Sequence, residues 1–398
     1  MLMPNDDRNL LLPFAHRRIA PHVCVTDRKQ HIRMFLTDAL EDLGFIARQC
    51  ADGTELREAI AKLTPELVVL GALTSDSDLK ALLTALALDR YSGRIMLFGG
   101  RASAALFKLH EYAENLGLSM LPPLLTPFRD SDLHDNLADF LPVQSPPRIE
   151  IEADEALEND WLEIRYRPKI DLRGIAVIGA HAEVRVRHPN WGVLTPSSFL
   201  VSETDPKSSK LSGAIIEQAM ADWARFLAAR QAFELTLPVP PRALEEPEVL
   251  DRICLEMPDE SLFAQLTVEL PSTEFARNPG KLRTAVRKLT PFNIGFAIGD
   301  VTASSSWTDF GEVPIAELQV DADVAADCAD DPDKAEECAK VVTLAKAIGA
   351  RTTATGIETP AVLKVVHQIG FDLGEGDLFG KAMDAQRFAR TVVRGHAK

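Results

Sequence analysis

Three polar residues in the second half of the chain have side chains of the types that hold transition metals. His181, Glu269 and Asp300 each stand within or directly after an apolar, strand-like run. One imidazole and two carboxylates form a legitimate ligand set for such metals, provided that the fold brings them together. The simpler alternative is three polar residues without a ligand. The sequence favours this alternative, because nothing else in it supports a metal site.

Two arginines are of the type that recognises phosphate. Arg185 and Arg187 alternate along a strand-like segment, so their side chains are expected on one face of the strand. A guanidinium group suits bidentate binding of phosphate oxygens. The alternative, which we favour, is that both are solvated or salt-bridged surface residues.

Other common kinds of site are not supported. The acidic segment 321–327 and the acids that follow it lack the central Gly and terminal Glu of a calcium loop. We expect a solvated loop and an acid-rich helix start there. The five cysteines are scattered and none forms a C-x-x-C pair, which is typical of reduced thiols in a cytosolic protein.

The charge and composition of the chain limit the classes of partner that it could bind. The 398 residues carry a formal net charge of −16, which repels phosphate backbones and anionic lipids and predicts neither a nucleic-acid nor a membrane partner. No apolar run approaches the roughly 20 residues that span a bilayer, and the first residues do not resemble a signal peptide. We therefore expect a soluble, cytoplasmic protein of two or three domains.

The first part of the chain alternates strand and helix patterns. After an N-terminal extension (1–20), residues 21–142 predict an α/β domain with a five-stranded, doubly wound parallel sheet. Its apolar, β-rich runs are typical of parallel strands covered on both faces. The proline- and acid-rich stretch 143–160 predicts a linker and a short helix. Residues 161–392 form a second α/β segment of the size of a barrel.

The second segment carries motifs in a known order. Tyr166–Leu172 resembles Y-Q-P-I-x-D-L, His181–Pro189 resembles E-A-L-x-R-W-x-H-P, and residues 370–380 resemble G-x-D-x-x-Q-G-x-x-F-G, with further motifs between them. This set resembles the EAL domain, the family that hydrolyses cyclic di-GMP in bacterial signalling. The resemblance implies a (β/α)8 TIM-like barrel in which two divalent cations activate water at the mouth.

The departures from the family pattern fall on this chemistry. Three metal-holding positions correspond to His181, Pro238 and Gly299, and Ser272 replaces a glutamate that braces a loop. The side chain of proline has no atom that could bind a metal, and glycine has no side chain. The resemblance would place the His–Glu–Asp set described above at the same mouth. The family residue type is kept at Glu269, Asp300 and Glu358.

The acid–base and phosphate positions are altered as well. Thr355 stands where the family has its general base, and Gln319 where it has a phosphate-side lysine. A hydroxyl is a poor base near pH 7, and losing even a supporting ligand typically costs about 10–100-fold. We expect no diesterase activity and no cofactor. Mg²⁺ is expected only with residual activity, for which Glu183 or a rearranged loop would have to supply the missing ligands.

The resemblance also bears on ligand binding. Arg185 corresponds to an arginine that helps to hold the dinucleotide phosphate, and Arg187 lies two residues further on. Arg167 and Glu375 each replace a family glutamine. The arginine favours phosphate binding, whereas the glutamate adds negative charge near the nucleotide.

Residues 21–141 resemble, more weakly, the receiver domain of response regulators. Active receivers need an acid pair, an aspartate phosphoacceptor, a hydroxyl and a lysine at the ends of successive strands. This chain offers the single acid Asp27, then Gly71 at the phosphoacceptor position, Gly99 and Thr126. Because glycine has no group to phosphorylate, we expect a scaffold that serves as a dimer or partner surface.

Together these patterns predict a non-catalytic regulator built from a degenerate receiver and a degenerate EAL domain. It would act through contact with a protein partner or a second copy of itself, in or beside cyclic di-GMP signalling. One alternative is an effector that binds cyclic di-GMP without cleaving it. Another is a residual cyclic di-GMP phosphodiesterase.

Overall fold

The computed structural model describes most of the chain and divides it into two compact units. These are Met1–Arg148 with Val186–Ser198, and Ile149–Arg185 with Phe199–Lys398. The predicted domain limits stay predictions. No helix in the described ranges is long and apolar enough to cross a membrane. The described residues are 20–73, 75–100, 104–128, 130–140, 149–151, 153–194, 199–200, 208–229, 233–240, 243–257, 265–277, 279–303, 305, 313 and 315–394.

The first unit is built on a five-stranded parallel sheet with strand order β2-β1-β3-β4-β5, as the sequence predicts. Its elements are β1 (His22–Thr26), α1 (Gln30–Asp42), β2 (Ile46–Cys50), α2 (Gly53–Lys62), β3 (Leu67–Leu70), α3 (Asp76–Leu88), β4 (Arg94–Gly100), α4 (Ala104–Asn115), β5 (Ser119–Thr126) and α5 (Asp130–Asn136).

Helices cover both faces of this sheet, which explains why its strands are apolar throughout. Val23 and Val25 of β1 pack into the core that includes side chains of α1 and α5. Cys24 points to the other face, into the core with side chains of α2, α3 and α4. This architecture fits a receiver-like domain.

The second unit begins with short elements and continues with strands and helices. Its elements and those of the adjoining hairpin are β6 (Ile149–Glu150), α6 (Ala153–Glu158), β7 (Leu162–Asp171), β8 (Ala176–His188), β9 (Gly192–Leu194), β10 (Phe199–Leu200), α7 (Ser208–Ala229), β11 (Glu234–Pro238), α8 (Pro247–Leu255), β12 (Leu266–Pro271), α9 (Ser272–Arg277), α10 (Pro279–Leu289), β13 (Ile294–Val301), β14 (Ile315–Val320), α11 (Ala322–Asp327), α12 (Pro332–Ile348), β15 (Arg351–Ala354), α13 (Pro360–Ile369), β16 (Leu373–Gly374) and α14 (Ala385–Arg394). The sequence range of β8 extends past Arg185, where this unit is divided from the segment Val186–Ser198 of the first.

Eight of these strands close into a barrel in the order β11-β12-β13-β14-β15-β16-β7-β8, and a pairing between β11 and β8 completes the circle. The strands from β11 to β16 are parallel, whereas β7 runs antiparallel to β16. The predicted barrel is therefore confirmed.

The interior of the barrel is unusually polar. Leu266, Val268 and Leu270 of β12 pack in the apolar core under the helices, so Thr267 and Glu269 alternate toward the interior. Barrel interiors are normally filled by branched apolar side chains. Here the buried polar side chains include Lys169, Thr236, Thr267, Glu317, Gln319 and Thr353.

Candidate functional site at the barrel mouth

The carboxyl ends of the parallel strands form the mouth of the barrel, where active sites of this architecture lie. Strand pairing places His181 opposite Thr236, two residues before Pro238, and Pro238 opposite Glu269. Gly299 pairs with the last residue of β12. Candidates that lie far apart in the sequence thus meet at one end of the barrel.

His181 bridges two carboxylates at the centre of the mouth. Its Nδ1 lies 2.8 Å from Glu375 Oε2 in a hydrogen bond, and its Nε2 lies 2.9 Å from Glu269 Oε2. The second contact is an ion pair without the alignment of a hydrogen bond. Only 16% of the His181 side chain is exposed, and 2% of the Glu375 side chain. The pairing of His181 with Glu375 was not foreseen from the sequence.

This geometry favours the doubly protonated imidazolium. A neutral imidazole carries one N–H, whereas here both ring nitrogens face carboxylate oxygens. Burial lowers the pKa of His181, but the charges of Glu269 and Glu375 outweigh burial and raise it well above the usual value. Conversely, burial raises the pKa of Glu269, and the charge of His181 outweighs burial and lowers it.

The mouth does not fit the divalent cations that the family would place there. Among the described residues, no group of three or more His, Cys, Asp and Glu side chains has an arrangement that could hold a metal ion. The set of His181, Glu269 and Asp300 is therefore not assembled as a ligand set. The reason is that His181 faces Glu375 and Glu269, so a cationic side chain already offsets part of their negative charge.

Gly299 and Asp300 lie near the end of β13, beside β12 and its residue Glu269. A Cβ at Gly299 would lie 3.0 Å from Glu269 Oε1, so an added carboxylate would press against Glu269. Asp300 has a left-handed backbone with φ of 52°, a conformation that aspartate tolerates better than most residues. Partial burial, Glu269 and Asp321 raise the pKa of Asp300, although His181 lowers it. Burial and the neighbouring carboxylates therefore act together to disfavour the charged form of Asp300.

The positions expected to hold a base and a further acid stand apart from this bridge. The Thr355 hydroxyl donates a 2.7 Å hydrogen bond to the carbonyl oxygen of Val320. Its proton is thereby directed to the backbone, and the residue fastens the end of β15 to β14. Glu358 lies in the segment after β15 and is exposed.

A buried ion pair lies beneath the mouth, and sequence reasoning did not identify it. Lys169 Nζ lies 2.6 Å from Glu317 Oε2 and donates a 2.8 Å bond to Thr236, and both charged side chains are fully buried. Glu317 Oε1 accepts hydrogen bonds from Thr353 and from Gln319. Gln319, expected at the phosphate, is instead part of this network.

Two candidate phosphate-binding arginines are held by acids. Arg167 donates to Glu183 Oε1 at 2.7 Å and to Asp377 Oδ1 at 2.6 Å, and Arg185 donates to Glu183 Oε2 at 3.0 Å. Burial raises the pKa of Glu183, but Arg167 and Arg185 outweigh burial and lower it. Glu183, considered above as a substitute metal ligand, is therefore a partner of these arginines. Their phosphate-binding groups are largely neutralised.

The third arginine does not join them. Arg187 Nη1 pairs with Glu41 of α1, within the first unit. Arg185 and Arg187 both lie in β8, but they engage different acids, and their placement on one face stays a prediction.

The receiver-like relic site is closed by Asp27. Its carboxylate accepts hydrogen bonds from the backbone N–H groups of Ala72 and Lys29, at 2.9 Å and 2.7 Å. A Cβ at Gly71 would overlap Asp27 Oδ2 and lie 3.0 Å from its Cγ. Asp27 therefore occupies the space that a phosphoacceptor side chain would need.

Comparison with known proteins agrees with this architecture. The EAL domain family model matches residues 151–382, more than half of the chain. The chain belongs to the EAL domain family. Its relatives include two cyclic di-GMP phosphodiesterases of Pseudomonas aeruginosa. PA2567 is 27% identical over 221 residues, which cover 55% of this chain and 38% of that protein. RocR is 26% identical over 292 residues, which cover 69% of this chain and 73% of that protein.

Solved structures of EAL proteins share the barrel. The PaMucR phosphodiesterase in complex with c-di-GMP aligns with a TM-score of 0.54 at 21% identity, covering 59% of this chain and 97% of that one. The EAL enzyme Bd1971, bound to cAMP and cyclic di-GMP, aligns with a TM-score of 0.52 at 17% identity, covering 60% and 66%. At these identities the likeness shows the fold alone.

Proposed function

We propose that this protein is a non-catalytic regulator that acts by protein contact in or beside cyclic di-GMP signalling in the cytoplasm. The observation that carries the proposal is the bridge of His181 between Glu269 and Glu375, at the position where the resemblance to the family implies catalytic cations. The positive charge between these two carboxylates comes from a side chain, which stands where a cation would otherwise lie. Without a metal, no water is activated for attack on a phosphodiester.

Among the described residues, neither Thr355 nor His181 offers a base that could activate water in place of the metal. The Thr355 hydroxyl is directed to a backbone carbonyl, and a hydroxyl does not accept a proton near pH 7 unless something activates it. His181 is the other candidate base, but an imidazolium held between two carboxylates has no lone pair to accept a proton. Degeneracy of the family chemistry is therefore the reading that these contacts support best.

Electrostatics argue against tight binding of a diphosphate ligand. Glu183 and Asp377 offset the charges of Arg167 and Arg185. Burial, and after it the charges of Glu269 and Asp321, raise the pKa of Asp300. A dinucleotide would have to displace Glu183 and Asp377 before an arginine could meet its phosphates. Because desolvated charge pairs are costly to break, we expect weak binding or none.

A second candidate is an effector that binds cyclic di-GMP without hydrolysis. The observation that favours it is the position of Arg167 and Arg185 side by side at the mouth, joined through Glu183. If Glu183 turned away, the two guanidinium groups could donate hydrogen bonds to one phosphate.

Calorimetric titration of the full chain with cyclic di-GMP, with and without Mg²⁺ or Mn²⁺, tests these alternatives together with chromatography of the reaction mixture. We expect no linear dinucleotide and no saturable heat in the micromolar range. Tight binding without product would favour the effector. Metal-dependent product that disappears in Asp300→Ala would refute the non-catalytic reading.

A further inference from the structure

Exposed apolar side chains of the second unit lie at the end of the barrel opposite the mouth. In the part of this unit that the structure describes, four large apolar side chains are exposed, and each precedes a strand entered from that end. They are Ile175, Leu255, Phe292 and Ile348. Single exposed apolar residues are common. These four, however, all lie at the same end of the barrel, which makes the surface at that end the more apolar.

Ile175 stands out among them because of its backbone. It lies in the turn between β7 and β8 with φ of 48°, and 55% of the residue is exposed. A β-branched residue in the left-handed region is a genuine outlier, since its Cβ crowds the backbone. Glycine or asparagine would fit the turn with less strain. Backbone strain of this kind is retained where it serves a function. An exposed isoleucine does not offset the strain by packing in the core.

Ile175 borders a groove between this turn and the exposed face of α13. We call it the Ile175 groove; its volume is about 400 Å³. Leu172 and Leu363 give it apolar walls, and Lys364 and His367 follow one another along the helix face. A volume of this size admits one or two side chains rather than a nucleotide.

The rim of the groove is basic although the chain as a whole is acidic. The lining residues include Arg173, Lys364 and His367 and no acidic side chain. The Arg173 side chain is 81% exposed and donates one 2.9 Å bond to Asp372, which lies outside the lining. Asp372 offsets part of the Arg173 charge, and Lys364 adds a second cation. The rim therefore has the sign that favours a negatively charged partner, in a chain whose net charge is −16.

We propose that the Ile175 groove docks an acidic segment of another protein, which inserts one large apolar side chain between Ile175 and Leu363. The proposal rests on the proposed function in taking protein contact to be the output, and it names the surface and the chemistry of the partner. Apolar burial supplies affinity, and the basic rim supplies orientation and selectivity.

The test places the photo-cross-linking residue p-benzoylphenylalanine at His367 of the full-length protein in the cells that encode it. The matched control carries it at Leu255, which is 83% exposed on α8. We expect an adduct specific to position 367 whose cross-linked peptide is acidic and contains a large apolar residue. Arg173→Glu with Lys364→Glu should lower its yield at least about tenfold, as loss of interface hot spots does.

A second variant separates docking from folding. Ile175→Asn keeps a residue that tolerates the left-handed turn, so the midpoint of thermal unfolding should stay the same or rise. The yield of the adduct at position 367 should nevertheless fall at least about tenfold. A lower unfolding midpoint with an unchanged yield would show that Ile175 serves stability and would overturn the proposal.

Other outcomes also decide the matter. The acidic partner would be refuted if the cross-linked peptide were uncharged or basic, or if it came from a second copy of this chain. It would also be refuted if the protein bound phosphatidylglycerol vesicles in place of forming a protein adduct, or if no adduct rose above the control. Adducts at position 255 alone would leave the proposed function intact and remove this groove from it. Hydrolysis of cyclic di-GMP would refute the proposed function whatever the groove binds.

Discussion

Replacing Gly71 by aspartate would restore the residue type that receivers phosphorylate, and we expect it to disrupt the first unit rather than to revive a switch. The carboxylate of Asp27 fills the space beside Gly71 and accepts hydrogen bonds from the N–H groups of Ala72 and Lys29. The new side chain could enter only if Asp27 moved away. Two carboxylates would then share one buried pocket without a cation between them.

The size of the effect follows from these contacts. Overpacking a tight site costs about 1–3 kcal/mol, and losing even one hydrogen bond to the Asp27 carboxylate adds about 1.5–3 kcal/mol. We therefore expect Gly71→Asp to lower the free energy of unfolding by about 3–5 kcal/mol. Native domains have only about 5–15 kcal/mol in total, so the variant should be close to unfolding.

Urea denaturation followed by circular dichroism measures the loss, and beryllofluoride with Mg²⁺ tests for a phosphoryl-type response. Gly99→Ala is the matched control, because a Cβ at Gly99 meets Leu106 at an ordinary 3.4 Å and should cost little. A Gly71→Asp protein as stable as the wild type, with a Mg²⁺-dependent response to beryllofluoride, would show that the Asp27 reasoning is wrong.

Three further predictions concern the barrel. Lys169→Met should lower the free energy of unfolding by about 3 kcal/mol, because the buried Glu317 carboxylate then keeps only the more distant Arg351, 3.7 Å away. Lys169→Met with Glu317→Leu should recover much of this loss in urea denaturation, and an unchanged stability of the single variant would contradict the burial argument. The contribution of His181 should depend on pH, since its pKa is raised in the folded state. Its stabilisation is complete below the unfolded pKa and is lost as pH rises through the folded pKa. The difference in unfolding free energy between wild type and His181→Gln should thus be large at about pH 6 and shrink in alkaline buffer. A difference that grows with pH would show that folding does not raise the pKa of His181. Changing Glu269, Asp300 and Glu358 together to alanine should leave the cellular phenotype of the gene intact at normal abundance, and its loss would make ligand binding at the mouth the leading hypothesis.

Local sequence was enough to predict both folds. Continuous apolar runs such as 66–72 and 94–100 indicate parallel strands covered on both faces, and the structure contains strands in both. The order of strand and helix patterns then leaves few topologies, because crossovers between parallel strands are right-handed and short. Motif order predicted the family of the barrel in the same way. Element order and burial pattern are properties of neighbouring residues, so they can be recognised in a single chain.

The contents of the mouth depended on tertiary structure. His181 meets Glu375 across 194 positions of sequence, and Lys169 meets Glu317 across 148. The sequence marked His181, Arg167 and Glu375 as candidates but assigned them to a metal or a phosphate. Closure of the barrel sets which side chains face each other: it pairs His181 with Glu375, and Arg167 with Glu183 and Asp377. Likewise, only the packing of β1 against β3 shows that Asp27 fills the space beside Gly71. A residue type states which charges are available, and only the register of distant strands decides which charge each of them meets.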